Sequence, residues 1–324
     1  MASTVRRALT PPSLDDIRAA RERIRDTIVR TPCVRFHVDA PCEIWLKLEN
    51  LQPIGSFKLR GATNALKSLS RQELERGVYT ASAGNMAQGV AWGARELGVP
   101  CTVIVPEHAP KAKIDAIERL GARIKRLPFD AWWQVLVDHG LAGQQGTFVH
   151  PVSDARVITG NGTIGLEIAE DVSDVDAVLV PYGGGGLSCG IAAALRSVMP
   201  NARVFACEVE TAAPLSPSLA AGEPTPADYR PSFVDGIGAK TLLPEMWPMA
   251  STLLKGSLVV SLEEVATAIR LLVQRARVVA EGAGAAGVAA ALSGRAGTGR
   301  VVCVVSGGNI DAEKLSVLLK GEMP

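Results

Sequence analysis

One lysine in a glycine- and aromatic-containing turn is the first residue that could do chemistry. Lys58 lies between Phe57 and Leu59, within the segment 55–61 that begins and ends with glycine. These neighbours favour partial burial, and loss of water lowers the pKa of a lysine and makes its amine a nucleophile towards carbonyl groups. Most lysines are solvated surface charges, so the prediction of a reactive lysine needs support from other loops that could bind a ligand.

Four consecutive glycines, residues 183–186, stand where a predicted strand ends and a predicted helix begins. Without a Cβ, the backbone can direct several N–H groups at an anion, and the helix N-terminus favours negative charge. The dinucleotide pattern GxGxxG fails, because Ser188 or Cys189 occupies its third glycine position, and no Gly-Lys pair of a Walker A loop occurs. A monophosphate site is favoured, and the alternative is a glycine turn that only permits close packing.

The same region contains Gly-Leu-Ser-Cys-Gly, which matches the GxSxG motif of α/β-hydrolases. Those enzymes need a histidine after the serine in chain order. All four histidines precede Ser188, so this serine is predicted to lie in the first turn of a helix. The histidines are too scattered for a zinc protease, HExxH is missing, and the six cysteines have no CxxC spacing, so no metal site is predicted.

A semi-buried lysine together with a monophosphate cradle suggests pyridoxal 5'-phosphate. This cofactor needs an amine for its aldehyde and an anion pocket for its phosphate. Two further loops follow predicted strands directly, residues 82–85 (SAGN) and 306–309 (SGGN). Ligands of open α/β sheets bind beyond the carboxyl ends of the strands, where these loops lie.

Two series of alternating strands and helices position these loops. Strands are predicted at 78–81, 101–105, 122–127, 176–181, 203–208 and 300–305, and helices at 88–97, 111–120, 187–198, 265–277 and 284–292. Ser261 and Glu264 form a capping box before the fourth helix. Residues 140–146, 159–165 and 214–231 are predicted to be irregular. This alternation indicates βαβ units and parallel sheets.

Composition excludes several classes of protein. The 324 residues carry a net charge of +1, which gives no general attraction to nucleic acid or acidic membranes. Apolar runs fall well short of the roughly 20 residues that span a bilayer. Residues 1–12 have no apolar segment of a secretory signal, and the cysteines read as free thiols, so a cytoplasmic location is expected.

Taken together, the sequence resembles the fold type II pyridoxal-phosphate enzymes, in the branch of the serine/threonine dehydratases and serine racemases. The resemblance covers nearly the whole chain. Its motifs are residues 55–62, 82–89, Pro106 with Lys111 and Lys113, His150-Pro151, 160–167, 183–187 and 306–309. The resemblance implies a two-domain, tryptophan synthase β-like α/β fold with parallel twisted sheets flanked by helices. The small domain would be residues 77–146, and the large cofactor-binding domain residues 1–76 and 147–324.

The resemblance also implies roles at matching positions. Lys58 would hold the cofactor as a Schiff base and act as a catalytic base, Phe57 would pack beside the ring, and Asn85 would bind the 3′-oxygen. Ser306 would face the pyridine nitrogen, Glu281 would lie near the ring, and Ser82 would lie across the cofactor from Lys58 as a second catalytic group. The phosphate would be bound by Gly183, Gly184, Gly185, Gly186 and Leu187, and the substrate by Ser82, Ala83, Gly84, Asn85 and Met86.

The implied reaction is an ammonia-lyase reaction that converts a β-hydroxy-α-amino acid, threonine- or serine-like or bulkier, to a 2-oxo acid and ammonia. Alternatives are an amino-acid racemase or a β-replacement synthase of the same fold. A non-catalytic amino-acid-binding protein is a further alternative, against which the intact Lys58 argues. The resemblance implies a homodimer, with no nucleic-acid or membrane partner.

Three departures from the family matter. Met86 stands where the family usually has histidine, which removes a polar group near the pocket. Racemase-type members bind a divalent cation near Glu208 with a carboxylate six residues later, and here that position is Pro214. Finally, 15 residues follow Asn309, too few for the regulatory domain of biosynthetic threonine deaminases, so control by isoleucine is not expected.

Overall fold

The computed structural model describes residues 8–324 of the chain, which fold around two β-sheets. The prediction about the N-terminal segment falls partly on residues 1–7, outside the described residues. In chain order the α-helices are α1 Leu14–Ile24, α2 Lys58–Lys67, α3 Arg71–Glu75, α4 Asn85–Leu97, α5 Lys111–Arg119, α6 Phe129–Asp138, α7 Ala155–Asp171, α8 Gly186–Val198, α9 Leu215–Ala221, α10 Trp247–Leu253, α11 Leu262–Leu271, α12 Gly282–Leu292 and α13 Ala312–Leu319.

The strands divide between a six-stranded and a four-stranded sheet. They are β1 Cys33–Phe36, β2 Glu43–Lys47, β3 Val78–Ala81, β4 Cys101–Pro106, β5 Arg123–Leu127, β6 Thr147–Phe148, β7 Ala177–Pro181, β8 Arg203–Val209, β9 Gly256–Val260 and β10 Arg300–Val304. The larger sheet has the order β1-β2-β10-β7-β8-β9 and is parallel except for β1. The smaller sheet, β5-β4-β3-β6, is parallel throughout.

The larger sheet is covered on both faces, because alternate side chains of a strand point in opposite directions. In β7, Leu179 packs into the apolar cluster formed with α11 and α12, while Val178 and Val180 pack into the cluster formed with α8 and α10. All five residues of β7 are buried. The strand is therefore a continuous apolar run, which the sequence shows as Ala-Val-Leu-Val-Pro.

Most predicted elements occur within one to three residues of their expected bounds. The predicted ends are correct where glycine supplies the left-handed conformation, as at Gly98, which ends α4 with φ of +66°. The capping box of Ser261 and Glu264 is present. The helix that it begins was predicted to reach 277, but α11 ends at Leu271 and a single π-helical turn, Leu272–Ala276, continues it.

One predicted irregular segment is helical, and a second contains a short helix. Residues 159–165 were expected to form a loop and instead lie inside α7. Their glycines allow close helix contact: a Cβ on Gly160 would lie 2.7 Å from the carbonyl oxygen of Arg60 in α2, and one on Gly165 would lie 2.9 Å from that of Ile191 in α8. Glycine here serves packing and not a turn. The segment 214–231 is irregular except for α9.

A buried ion network fixes α2 against the larger sheet. The Arg60 guanidinium, which is fully buried, donates to Glu49 at 2.8 Å and to Glu167 of α7 at 2.7 Å. The amine of Lys47 in β2 donates to the same Glu167 at 2.5 Å. Buried charges are stable only when paired in this way. Because Arg60 is two residues from Lys58, the network also fixes the start of α2.

All six cysteines are free thiols. Burial raises the pKa of Cys189 to about 12, as expected for cysteines that act as small apolar residues. Among the helices formed by residues 8–324, none is long and apolar enough to cross a membrane.

Candidate active site

A cavity of about 570 Å³ lies between the two sheets, at the carboxyl ends of β3, β4, β7 and β10. Its volume is within the range of small-molecule sites. Every residue to which the sequence assigned a catalytic, cofactor or substrate role lines it. These are Phe57, Lys58, Ser82, Ala83, Gly84, Asn85, Met86, Gly183, Gly184, Gly185, Gly186, Leu187, Glu281 and Ser306.

Lys58 is the first residue of α2, and Phe57 precedes the helix as its cap. The turn before it requires glycine, because Gly55 has φ of +69°. The half-buried Lys58 amine donates to the carbonyl oxygen of Pro151 at 2.8 Å and lies 5.2 Å from the centre of the Phe57 ring. Burial lowers the pKa of Lys58 to about 8, against a smaller opposing effect of the Glu281 carboxylate. At pH 7 about a tenth of such an amine is neutral, compared with less than about a thousandth of an ordinary lysine, and the neutral form is the nucleophile.

The glycine loop is shaped by close backbone contact with Val152. A Cβ on Gly184 would lie 2.5 Å from Val152 Cγ1, and one on Gly186 would lie 2.9 Å from the Val152 carbonyl oxygen. Gly185 has φ of +92°. Within residues 8–324, no loop or turn hydrogen bond takes up the amides of residues 183–187, which stand at the N-terminus of α8. Free N–H groups at a helix start are an anion site.

Asn85 and Glu281 form a polar pair on another wall of the cavity. The Asn85 amide donates to Glu281 Oε1 at 2.9 Å, and its oxygen accepts from Asn309 at 2.8 Å. Asn309 in turn donates to the carbonyl oxygen of Ile54 at 2.8 Å. Burial raises the pKa of Glu281 to about 7, with a further contribution from Asp235. Two loops that are distant in sequence thus hold Asn85 in one orientation.

Ser306 and Ser82 stand at the ends of central strands of the two sheets. Ser306 follows β10 and is buried, and its carbonyl oxygen accepts from the amide of Phe57 at 2.9 Å, which ties the loop to the turn before Lys58. Ser82 follows β3, and its hydroxyl accepts from the amide of Gly84 at 3.2 Å. This bond forms a turn in the loop before α4, whose cap residue Gly84 has no side-chain cap. It is the structural role that competes with a catalytic role for Ser82.

Several residues in or beside the cavity had no predicted role. Pro151 supplies the oxygen that accepts from Lys58, and its motif with His150 was the available signal. Asn309 fixes Asn85, and the repeated Gly-Asn ending of two loops could have indicated this contact. The segment 235–239 and the aromatic side chains of Trp132 and Trp133 also line the cavity. For these, chain order gives no sign that they face Lys58.

Ser188 and Glu208 have other contacts. The Ser188 hydroxyl, in the first turn of α8, donates to the carbonyl oxygen of Gly185 at 3.2 Å. The Glu208 carboxylate accepts from the amides of Leu215 and Ser216 and from the Ser257 hydroxyl, at 2.6–2.9 Å. Burial raises the pKa of Glu208. Within residues 8–324, no three or more His, Cys, Asp or Glu side chains are grouped so that they could hold a metal ion.

The residues present fit pyridoxal phosphate. The loop 183–187 offers free amides for a phosphate. Side chains at positions 184 and 186 would clash with Val152, so glycine is needed there for the loop to keep this shape. The amine of Lys58 opens into the same cavity with a lowered pKa, and the polar groups of Asn85, Glu281 and Ser306 line it too. This cofactor requires an amine for its aldehyde, an anion site for its phosphate and polar groups for the substituents of its ring.

Comparison with known proteins agrees with this geometry. The family model described as "Pyridoxal-phosphate dependent enzyme" matches residues 24–307. The L-threonine ammonia-lyase of Thermotoga maritima is 40% identical over 316 residues, which cover 95% of this chain and 78% of that protein. The catabolic L-threonine dehydratase of Staphylococcus aureus is 37% identical, with 95% and 92% covered.

Solved structures show the same fold. The serine racemase of Dictyostelium discoideum superposes with a TM-score of 0.83 at 34% identity, covering 92% of this chain and 99% of that one. The predicted fold type II architecture, with parallel sheets flanked by helices, is thereby confirmed. The chain belongs to the pyridoxal-phosphate dependent enzyme family, and to its branch of dehydratases and serine racemases.

Proposed function

We propose that this protein is a pyridoxal-phosphate-dependent ammonia-lyase that converts a β-hydroxy-α-amino acid to a 2-oxo acid and ammonia. The observation that carries the proposal is the meeting, in one cavity, of the Lys58 amine with the unpaired amides of residues 183–187. The threonine ammonia-lyase and threonine dehydratase among its relatives support this reaction over others of the family.

The residues of the cavity divide between cofactor and substrate. Lys58 would hold the cofactor, Phe57 would pack beside its ring, Asn85 would bind the 3′-oxygen, and Ser306 would face the pyridine nitrogen. Glu281, paired with Asn85, would lie near the ring. The phosphate would be bound by the amides of Gly183, Gly184, Gly185, Gly186 and Leu187, and the substrate carboxylate by the loop Ser82, Ala83, Gly84 and Asn85, with Met86 beside the side chain.

Pyridoxal phosphate supplies an electron sink for the carbon that loses its proton. Ser306 is neutral, so it does not hold the pyridine nitrogen protonated as a carboxylate would, and this moderates the sink and favours loss of a β-substituent. As a free amine beside a bound substrate, Lys58 would accept the Cα proton and could return it to the β-hydroxyl, which would leave as water. Hydrolysis of the unsaturated amine would then give the 2-oxo acid and ammonia.

Substitution of Lys58 is the direct test. We expect Lys58→Ala to abolish 2-oxo acid release from L-threonine, L-serine, hydroxyaspartate and phenylserine, and to bind the cofactor only loosely. Lys67→Ala, at the other end of α2, is the matched control and should keep wild-type rates. Mass spectrometry after borohydride treatment should place the cofactor on the Lys58 peptide. Wild-type turnover by Lys58→Ala would refute the proposal.

An amino-acid racemase is the second candidate, and the serine racemase structure at 34% identity is the observation that favours it. Racemisation needs a proton acceptor on each face of the substrate, and Ser82 is our candidate for the second. We expect Ser82→Ala to keep a measurable fraction of L-substrate elimination. Racemisation and D-substrate elimination should fall by about 10²–10⁴-fold, the usual cost of losing a general base.

Product analysis for each enantiomer, with chiral chromatography of the recovered substrate, separates these outcomes. Equal losses for both enantiomers would leave Ser82 with its bond to Gly84 as its main role. The same assay with added sulfide tests the β-replacement alternative. A binding protein without catalysis would release no 2-oxo acid from any substrate.

We further propose a cytoplasmic homodimer with a small domain of residues 77–146. Six free cysteines support the location. The separate four-stranded sheet supports the domain, although β6 at Thr147–Phe148 extends one edge of that sheet past the proposed boundary. The dimer rests on the family resemblance alone. Absence of nucleic-acid partners rests on the net charge of +1.

A further inference from the structure

A network of two histidines, a serine and a glutamate lies at the edge of the cavity, where one of the histidines, His150, is a lining residue. Its members are His139, His150, Ser153 and Glu245. His139 ends α6, which belongs to the part of the chain that carries the small sheet, whereas Glu245 lies in the helical turn Pro244–Met246 before α10. His150 and Ser153 belong to the segment 150–153 that connects β6 to α7. The network therefore joins three separate parts of the chain.

The segment 150–153 touches both halves of the proposed cofactor site. The Pro151 carbonyl oxygen accepts from the Lys58 amine at 2.8 Å. The next residue, Val152, packs directly against Gly184 and Gly186. A displacement of this segment would therefore move the acceptor of the amine and the support of the phosphate loop together.

His150 holds the segment through one ring nitrogen. Its Nδ1 accepts from the amide of Val152 at 3.0 Å and from that of Ser153 at 2.8 Å. The ring is buried, and burial lowers the pKa of His150 to about 3, so the imidazole stays neutral and Nδ1 keeps its lone pair. This contact to the amide two residues on resembles the turn that an asparagine side chain makes with its own backbone.

The His150 ring is itself held in place by contacts with Ser153 and His139, and His139 is held by Glu245. The His139 ring stacks on the His150 ring at 4.4 Å, and its Nε2 lies 3.0 Å from Glu245 Oε1. The Ser153 hydroxyl lies 3.2 Å from the same His139 nitrogen and 3.1 Å from His150 Nδ1. Burial alone would raise the pKa of Glu245, but hydrogen bonds from His139 and Ser153 keep it lowered to about 2. The carboxylate is thus charged at all working pH values.

We propose that His150, backed by Ser153, His139 and Glu245, is a positioning residue for Lys58: it fixes the segment 150–153 that binds the Lys58 amine and supports the glycine loop. The inference rests on the proposed function in that Lys58 is taken as the cofactor-binding lysine. None of the four side chains needs to touch the cofactor or substrate.

The readout is the reactivity of Lys58 itself. The Glu281 carboxyl group acts on Lys58, and Asp235 and Lys113 act in turn on Glu281. Besides His139, the charged groups that act on His150 are Glu245 and Asp154. If the segment loosens, water reaches the amine and the pKa of Lys58 rises from about 8 towards its ordinary value of 10.5. If the pKa of Lys58 rises by one unit, about tenfold less of its amine is neutral at neutral pH.

The experiment is competitive acylation of the full-length protein, freed of cofactor, with acetic anhydride between pH 6 and 10. Mass spectrometry of the Lys58 peptide gives the pH of half-maximal reaction. His150→Phe keeps a flat ring but has no acceptor, and His150→Asn restores an acceptor for the amide of residue 152. Glu245→Gln removes the charge behind the network at nearly constant size. His37→Phe, at an exposed histidine, is the matched control.

We expect the midpoint near pH 8 in the wild type, about one unit higher in His150→Phe and Glu245→Gln, and near the wild-type value in His150→Asn and His37→Phe. Identical midpoints in wild type and His150→Phe would overturn the inference, as would an equal shift in His150→Asn. If His150→Phe does not fold, the comparison of Glu245→Gln with wild type decides. Failure of the proposed function is separate: borohydride would then trap no cofactor on wild-type Lys58, whatever the acylation profiles show.

Discussion

The Glu281 side chain shows how a single residue can serve the site at a cost to the fold. It is buried, paired with Asn85, and its pKa is raised from 4.5 to about 7. A carboxyl group whose pKa is raised in the folded state stays protonated while the unfolded chain already ionises. The unfolded state then binds fewer protons, so the free energy of unfolding falls as pH rises from 4.5 to 7.

We therefore expect Glu281→Gln to stabilise the cofactor-free protein at pH 8 by up to about 3 kcal/mol, since 1.36 kcal/mol corresponds to one pKa unit. The glutamine can still accept from Asn85, and it never ionises. At pH 4.5 the two proteins should have nearly equal stability. Urea unfolding at both pH values measures the difference. An equal effect at the two pH values would show that packing, and not ionisation, separates Glu281 from glutamine.

At the scale of elements, the loops were more predictable than the contacts between helices. Residues 82–85, 183–186 and 306–309 follow strands as expected, because buried β-branched runs and glycine turns leave clear local patterns. The segment 159–165 was predicted wrongly, since a glycine that lets α7 approach α2 and α8 cannot be distinguished locally from a glycine in a turn. The same limit applies to Pro151: its motif with His150 is visible in the sequence, but the contact of its carbonyl oxygen with Lys58, 93 residues away along the chain, is not.

The glycine loop gives a test at this scale. A Cβ at position 186 would lie 2.9 Å from the backbone oxygen of Val152, whereas one at position 183 would have no atom closer than 3.5 Å. We expect Gly186→Ala to weaken cofactor binding by about tenfold or more, because such overpacking costs about 1–3 kcal/mol. Titration of the cofactor-free protein with pyridoxal phosphate, followed by absorbance, gives both constants. Gly183→Ala, whose added Cβ would not meet Val152, should weaken binding less. Equal weakening by both substitutions would contradict the role of Val152.

At the scale of the whole molecule, the cavity lies between the two sheets, and each sheet lines a different side of it. The six-stranded sheet contributes the loops with Gly183–Gly186 and Ser306. The four-stranded sheet contributes the loop after β3, and its helices α4 and α6 add Met86, Trp132 and Trp133. The phosphate cradle therefore lies on one side, and much of the apolar surface that can meet a substrate side chain lies on the other.

Met86 is where this apolar wall departs from the family pattern, and it gives the last prediction. Its side chain is 2% exposed and lines the cavity at the start of α4, directly after the Gly84-Asn85 pair. A thioether is flexible and apolar, so it should accept a larger or less polar β-substituent than a histidine would. We expect the wild type to use threonine and phenylserine better than serine, and Met86→His to shift that ratio of kcat/KM values towards serine by about tenfold, a typical effect of one apolar contact. Met86→Leu, which keeps the wall apolar, should preserve the wild-type ranking, and melting temperatures would show whether the buried histidine disturbs the fold. An unchanged ranking in Met86→His would mean that the side chain at this position supports α4 without selecting the substrate.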